Sequence, residues 1–245
     1  MDPVLFTPRL KLTLITHAER DSDELTWLHE LRSNKQTTAW SIRPPSISIE
    51  DTEKVVGIYL PDTTPAAPPP GSNPPPTSGE ECARKAYKMA FAVHEILPPA
   101  ASNAVEPSTR FIGLVKLVSL SGDHLPIPPH LVISQEQEKD TLVVELAYSL
   151  LPLAWGKGYA TEAITAVLNA CRSSTAMHFW APWRKVWMRV IVNGRNAASL
   201  NVMRKLKAIG VQEKGVYKWK GESIFIGGEW RTEEDLYIFG GYLKG

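Results

Sequence analysis

Two hydrophobic periods alternate along the chain. From Arg9 to Ile15, Leu10, Leu12 and Leu14 alternate with Arg9, Lys11 and Thr13, which predicts a half-buried strand. Helical spacing follows at about Asp21 to Arg32, where Leu25, Leu28 and Leu31 share a face, and again at about Ile49 to Leu60. Tyr87 to Glu95 sets Tyr87, Met89, Phe91 and Val93 on one face, and Phe111 to Leu120 is an apolar run interrupted by Lys116. These two predict paired antiparallel strands. Thr141 to Leu151 is strand-like and apolar on both faces apart from Glu145. A helix follows, with Ala160, Ile164, Val167, Leu168 and Cys171 at helical spacing. A second apolar strand, Lys185 to Val192, precedes a helix carrying Val202, Leu206 and Ile209. Strand, helix, strand, helix in that order predicts a parallel pair within a mixed sheet. Two closing strands are expected near Val216 to Ile226 and Glu234 to Phe239, separated by Gly227 and Gly228.

The pattern breaks in three places. Pro61 to Gly79 reads PDTTPAAPPPGSNPPPTSG, a composition that sustains neither helical nor ladder hydrogen bonds. The 61–80 stretch is therefore expected to be a loop inserted in a single domain spanning 1–245. Pro65 and Pro68 have the spacing of a polyproline ligand, and an extended linker is the simpler reading. Leu97 to Pro107 and Ser121 to Asp140 are expected to be further surface loops.

Composition narrows the function classes. Of 245 residues, 43% are hydrophobic and 22% charged, as in ordinary globular domains. The net charge of +1 gives no broad electrostatic signal for nucleic acid or an anionic membrane, so neither is expected as a partner. The opening MDPVLFTPRL lacks a long apolar run and no later stretch has the length of a membrane span, so cytoplasmic or nucleocytoplasmic residence is expected. Cys82 and Cys171 stand far apart without zinc-site spacing, and Cys171 falls on a helical apolar stripe, as a buried structural thiol would. The histidines show no metal-ligand spacing, and no metal is expected.

Chemistry concentrates in ELAYSLLPLAWGKGYATEA, Glu145 to Ala163. A glycine-rich turn between a central strand and a helix N-terminus gathers free backbone N–H groups at the positive end of the helix dipole, an arrangement suited to a phosphate or pyrophosphate. Glycine also serves such turns for steric reasons alone. A Walker A loop is excluded because Gly158 follows Lys157, and a dinucleotide fingerprint is excluded because Thr161 stands at its last glycine.

At YSLLPLAWGKGYATEA, Tyr148 to Ala163, the chain resembles the GNAT acetyltransferase superfamily, in particular the branch of ribosomal-protein alanine acetyltransferases. The superfamily's pyrophosphate motif is Gln or Arg, two variable residues, Gly, one variable residue, then Gly or Ala. Gly158 and Ala160 fit its last two positions, while Trp155 departs from its first. Asn196 and Ser199 in NAASLNVMRKL resemble the motif opening the next helix, with Asn196 also a natural N-cap. The pair Gly210–Val211 arrives later than the corresponding Gly-Phe pair of the family. Outside the three loops the likeness covers nearly the whole chain.

The resemblance implies a mixed, mostly antiparallel α/β sheet splayed at a central parallel pair and flanked by helices. It also implies an acetyl-CoA-dependent N-acetyltransferase, monomeric or homodimeric, whose acceptor is a protein N-terminus, a lysine, a polyamine or a small amine. Backbone N–H groups around Leu150 and Leu151 are expected to contact pantetheine and polarise the thioester. Trp155, Gly156, Lys157, Gly158, Tyr159, Ala160 and Thr161 are expected to form the pyrophosphate turn, with Asn196 near the pantetheine arm. Lys157 is a possible phosphate contact, and Arg204 or Lys205 could reach the 3′-phosphate, unless they belong to a solvated basic face. Glu145 in ELAY resembles the glutamate that acts as base in the histone-directed branch. A substrate-positioning carboxylate and a structural ion pair are the other readings of Glu145. Ser199 and Tyr217 are the candidate general acids. The competing function is a catalytically inactive CoA-binding scaffold whose proline-rich loop engages partners.

Overall fold

The computed structural model describes residues 2–61, 87–98, 108–120, 125, 127–133 and 141–245. Residues 62–80 of the expected proline-rich loop and most of the loops expected at 97–107 and 121–140 lie outside the described residues. Eight strands form one sheet: β1 (Val4–Phe6), β2 (Leu10–Leu14), β3 (Lys88–Ile96), β4 (Thr109–Ser119), β5 (Thr141–Leu150), β6 (Lys185–Asn193), β7 (Gln212–Ile226) and β8 (Glu229–Lys244). Their spatial order is β1-β2-β3-β4-β5-β6-β8-β7, and every neighbouring pair is antiparallel except β5 and β6.

The parallel pair is short. Thr141 faces Lys185 and the register runs to Glu145 opposite Arg189, where pairing stops, although β5 continues to Leu150 and β6 to Asn193. Beyond Glu145 the two strands part, as the sequence predicts, and the sheet opens towards the turn at Trp155 to Gly158.

Helices cover both faces of the sheet. On one face α4 (Tyr159–Arg172) and α5 (Ala197–Lys205) pack on the inward residues of β2 to β6. Ile164, Val167, Leu168 and Cys171 bury the stripe of α4, and the Cys171 thiol lies 3.9 Å from the sulfur of Met89, with burial pushing its pKa up to about 12. That identifies Cys171 as a structural thiol; Cys82 lies outside the described residues.

On the opposite face α1 (Asp23–Ser33), capped by Ser22, whose side-chain oxygen accepts from Leu25 N–H, buries Leu25, Leu28 and Leu31 against Ala90, Ala92, Phe111 and Leu114. Each such leucine contributes about 1.5–3 kcal/mol when fully buried. A short α2 (Lys35–Thr38) and α3 (Ile49–Glu53) complete this layer. The expected helix from Ile49 to Leu60 is thus divided: α3 ends at Glu53 and a single tight turn covers Val56–Ile58. Val55, Val56 and Gly57 are poor helix formers, and nothing in the local sequence carries the helix through them.

Two strands differ from expectation. β1 was not apparent because three residues are too few to show a period. β8 is far longer than Glu234 to Phe239 because it is paired on both sides, by β6 and by β7. The tip of the β7–β8 hairpin reaches across to the segment after α2: Gly227 N–H donates to the Ala39 carbonyl at 2.7 Å, and a Cβ at Gly227 would meet the Trp40 ring at 2.7 Å.

Candidate active site

The splay creates a cleft of about 610 Å³ that passes through the sheet. Its walls come from both faces: α5 and the first turn of α4 on one, α1, α2 and Trp40 on the other, with β5 between them.

The turn entering α4 is shaped for a ligand. Pro152–Ala154 makes one tight turn, and the Trp155 indole Nε1 donates to the Leu150 carbonyl at 2.7 Å, bracing the loop. Gly156 and Gly158 have φ of +73° and +81°, the left-handed region that favours glycine. A Cβ at Gly156 would meet nothing within 4 Å, and one at Gly158 only an Arg9 nitrogen at 3.6 Å, so the space before the turn is open. Gly158 caps α4 without a side-chain acceptor. The first intrahelical bond runs from Glu162 N–H to the Gly158 carbonyl at 3.1 Å, which leaves the N–H groups of Tyr159, Ala160 and Thr161 without a helical acceptor. These three donors at the positive end of a 14-residue helix suit a phosphate oxygen.

Side chains around the turn hold it rather than enter it. The Tyr159 hydroxyl donates to Glu95 Oε1 at 2.6 Å, and the Arg9 guanidinium covers the Tyr159 ring at 4.7 Å. Arg9 also donates to the Lys157 carbonyl at 3.0 Å and to Glu162. Lys157 points over the Tyr159 ring and does not line the cleft.

Donors on β5 differ from the expected pair. Leu151 N–H is consumed by the Ile112 carbonyl at 2.8 Å and Leu151 does not line the cleft, so its assignment as a thioester donor is corrected. Leu151 continues the ladder with β4. Alternation along the strand then turns the N–H groups of Tyr148 and Leu150 towards the splay, where β6 no longer accepts them.

Across the cleft, Asn196 caps α5 by accepting from Ser199 N–H at 3.0 Å, and both residues line the cleft. The buried Tyr148 hydroxyl faces Ser199 without the geometry of a full hydrogen bond, and burial pushes its pKa up to about 12. Of the two candidate acids, Ser199 is in place. Tyr217 is not: it sits on β7 opposite Leu236, with β6 and β8 between it and β5, and it does not line the cleft. On α5 the exposed Arg204 bonds the Asn201 side chain at 3.2 Å, whereas Lys205 lines the cleft, so the basic residue of this helix at the site is Lys205.

Glu145 stands where the strands part. Its Oε2 accepts from Arg189 Nε at 2.9 Å and forms an ion pair with Nη2 at 2.9 Å; the arginine side chain is 3% exposed and the glutamate 36%. No protein donor among the described residues reaches Oε1, and Glu145 lines the cleft. The ion-pair reading is therefore observed, and it fixes the carboxylate at the apex of the splay with one oxygen to spare. Arg189 escaped the sequence reading, although each parallel strand carries one charge at its fifth residue, which in register places the two side by side.

Lys116 also lines the cleft, from the middle of β4. Its ammonium lies 4.9 Å from the centre of the Tyr59 ring, and burial brings its pKa down to about 8, with Arg43 and Arg32 pushing the same way and Glu145 opposing them. Among the described residues no group of histidine, cysteine or carboxylate side chains could hold a metal ion.

The family model of the acetyltransferase (GNAT) domain matches residues 9–209. No curated protein matches the chain by sequence. The fold is shared with a GNAT-family acetyltransferase from Bacillus anthracis, 18% identical over 98% of each chain with a TM-score of 0.51. It is shared too with a spermidine N-acetyltransferase from Vibrio cholerae, in complex with CoA and spermine, at 18% identity over 95% of each chain and a TM-score of 0.50. A third likeness is to RimL, a ribosomal-protein alpha-N-acetyltransferase in complex with coenzyme A, at 15% identity over 97% of this chain and 96% of that one, with a TM-score of 0.53. With residues 9–209 matched, a span that holds the splayed strands, the glycine turn and the Asn196 cap, the chain belongs to the GNAT acetyltransferase family.

Proposed function

We propose that the chain moves an acetyl group from acetyl-CoA to a primary amine by direct attack in a ternary complex. The observation that carries this reading is the cleft through the sheet, which joins an open helix-N-terminal donor set on one face to a carboxylate at the strand parting reached from the other. A scaffold that only bound CoA would need the first half alone.

Acetyl-CoA supplies an acetyl thioester. Its pyrophosphate would be held by the N–H groups of Tyr159, Ala160 and Thr161, with Lys205 and the Asn196 end of α5 along the same wall. The Tyr148 and Leu150 N–H groups would hold pantetheine and the thioester oxygen, fixed donors that stabilise charge as it develops there. An alkylamine is mostly protonated at neutral pH, and Glu145 Oε1 is the unoccupied oxygen that would take its proton, directly or through water. As the amine nitrogen bonds the acetyl carbon and the carbon–sulfur bond breaks, the thiolate takes a proton from the side where Ser199 and Tyr148 stand.

A thiol-release assay, corrected for acetyl-CoA hydrolysis, across small amines, polyamines, lysine and N-terminal peptides tests the proposal. Amine-dependent release with any acceptor supports it; acetyl-CoA binding without release for the whole panel supports the scaffold.

A further inference from the structure

The acceptor half of the cleft carries two cations, Arg32 and Lys116. Arg32 on α1 is 9% exposed and lines the cleft; its Nη2 donates to the Pro44 carbonyl, while its Nε is buried without any hydrogen-bond partner. No carboxylate among the described residues forms an ion pair with Arg32 or with Lys116. The two line the same cleft, where Glu145 favours the charged Lys116 ammonium and the exposed Arg43 and the buried Arg32 oppose it. Among the described residues Glu145 is the single acidic side chain lining the cleft, and Arg189 already pairs with it. Arg32 is buried and Lys116 half-buried, and among the described residues no carboxylate closes on either, so this wall is suited to an anion entering the cleft.

The register gives that anion a distance from the reaction. Lys116 is paired with Ala147 in the β4–β5 ladder, and Glu145 lies two residues further back on the same face of β5. Diagonal neighbours of this kind are roughly 7–8 Å apart at the backbone. An amine presented to Glu145 therefore carries its negative group a few bonds away, at Lys116 and Arg32.

Resting on the acetyl-transfer reading, we propose that Arg32 and Lys116 form a carboxylate-binding subsite, so that the acceptor is a primary amine bearing a carboxylate close to the amine. A polyamine would bring more positive charge to a wall that already repels it.

The test compares acceptors matched in length and basicity. In one arm 4-aminobutyrate, butylamine and putrescine are acetyl acceptors; in the other the peptides Ser-Glu-Ala-Ala and Ser-Gln-Ala-Ala, both amidated at the C-terminus, compete. The expected result is a kcat/KM at least about tenfold higher for the carboxylate member of one arm, the scale of a charge-assisted hydrogen bond, and the responding arm tells small acid from acidic N-terminus. In Lys116→Met the ratio collapses towards one, and in Arg32→Lys, which keeps the charge but loses the fork, it falls part of the way. Putrescine at or above 4-aminobutyrate, with no preference for the Glu peptide, overturns the subsite, as does an unchanged ratio in Lys116→Met. Should no amine be acetylated, the acetyl-transfer reading fails, and calorimetry of 4-aminobutyrate and the Glu peptide into CoA-loaded protein still decides the subsite. Binding abolished in Lys116→Met sustains it, and absence of binding in the parent overturns it.

Discussion

Removing the Glu145 charge separates its structural role from its chemical one. In Glu145→Gln the Arg189 guanidinium, 3% exposed, keeps a hydrogen-bond acceptor but loses its counter-charge. Breaking a fully buried pair costs about 3–5 kcal/mol. Glu145 is 36% exposed and Gln still accepts, so the loss here is reduced to about 1–3 kcal/mol. For a chain of this size that lowers the melting temperature by about 3–10 °C, readable by circular dichroism on the ligand-free protein. Adding Arg189→Met removes the orphaned cation and leaves a thioether on the face of β6 shared with Trp187 and Ile191, so the double variant should melt above the single one. Activity should part company with stability: the single variant loses roughly a hundredfold in turnover and the double variant does not recover it, because the base is still missing. A double variant no more stable than Glu145→Gln refutes the orphaned-charge argument. Parent-like turnover in Glu145→Gln at every pH refutes the base.

Other substitutions probe the rest of the cleft. Gly158→Asp should fold, because Asp tolerates a left-handed backbone better than most residues and its Cβ clears the protein, yet it should weaken acetyl-CoA binding by more than about tenfold in calorimetry, while Ser72→Asp in the proline-rich loop leaves affinity unchanged. Trp155→Phe deletes the 2.7 Å bond to the Leu150 carbonyl and should cost about 1 kcal/mol in chemical denaturation and raise the KM for acetyl-CoA. The Lys116 pKa, brought down to about 8 from 10.5 chiefly by burial, means that the unfolded chain binds this proton more tightly. The penalty is therefore full below about pH 8 and fades as pH rises towards 10.5. Lys116→Met should be more stable than the parent at pH 7, by about 2–3 kcal/mol, with a margin that narrows through that window; a margin that widens contradicts it.

Legibility in the sequence followed the length scale of each cause. Helices α1, α4 and α5 were readable because each buries one face, and strands β3 to β6 because they are largely apolar runs lying between helical layers. The glycine turn was readable because Gly156 and Gly158 answer a local backbone demand. What escaped depends on which strands become neighbours. The Glu145–Arg189 pair joins residues far apart in the chain and exists only because β5 and β6 are parallel in that register. Tyr217 carries the right chemistry on a strand that the sheet order sets at the far edge. Leu151 looked like a cofactor donor until its N–H was seen to close the ladder with Ile112. Lys116 did leave a trace, as the one break in an apolar run, but its meaning needed Arg32 from another layer to line the same cleft.

The claim that two substrates meet through the sheet is tested most directly by amide NMR of the protein titrated first with CoA and then with an amine acceptor. The account predicts that CoA moves the amides of Tyr148, Leu150, Tyr159, Ala160, Thr161 and Ser199, and that the amine then moves those of Arg32, Lys116 and Glu145. CoA shifts that avoid the first turn of α4, or an amine that displaces CoA from the same residues, would contradict it.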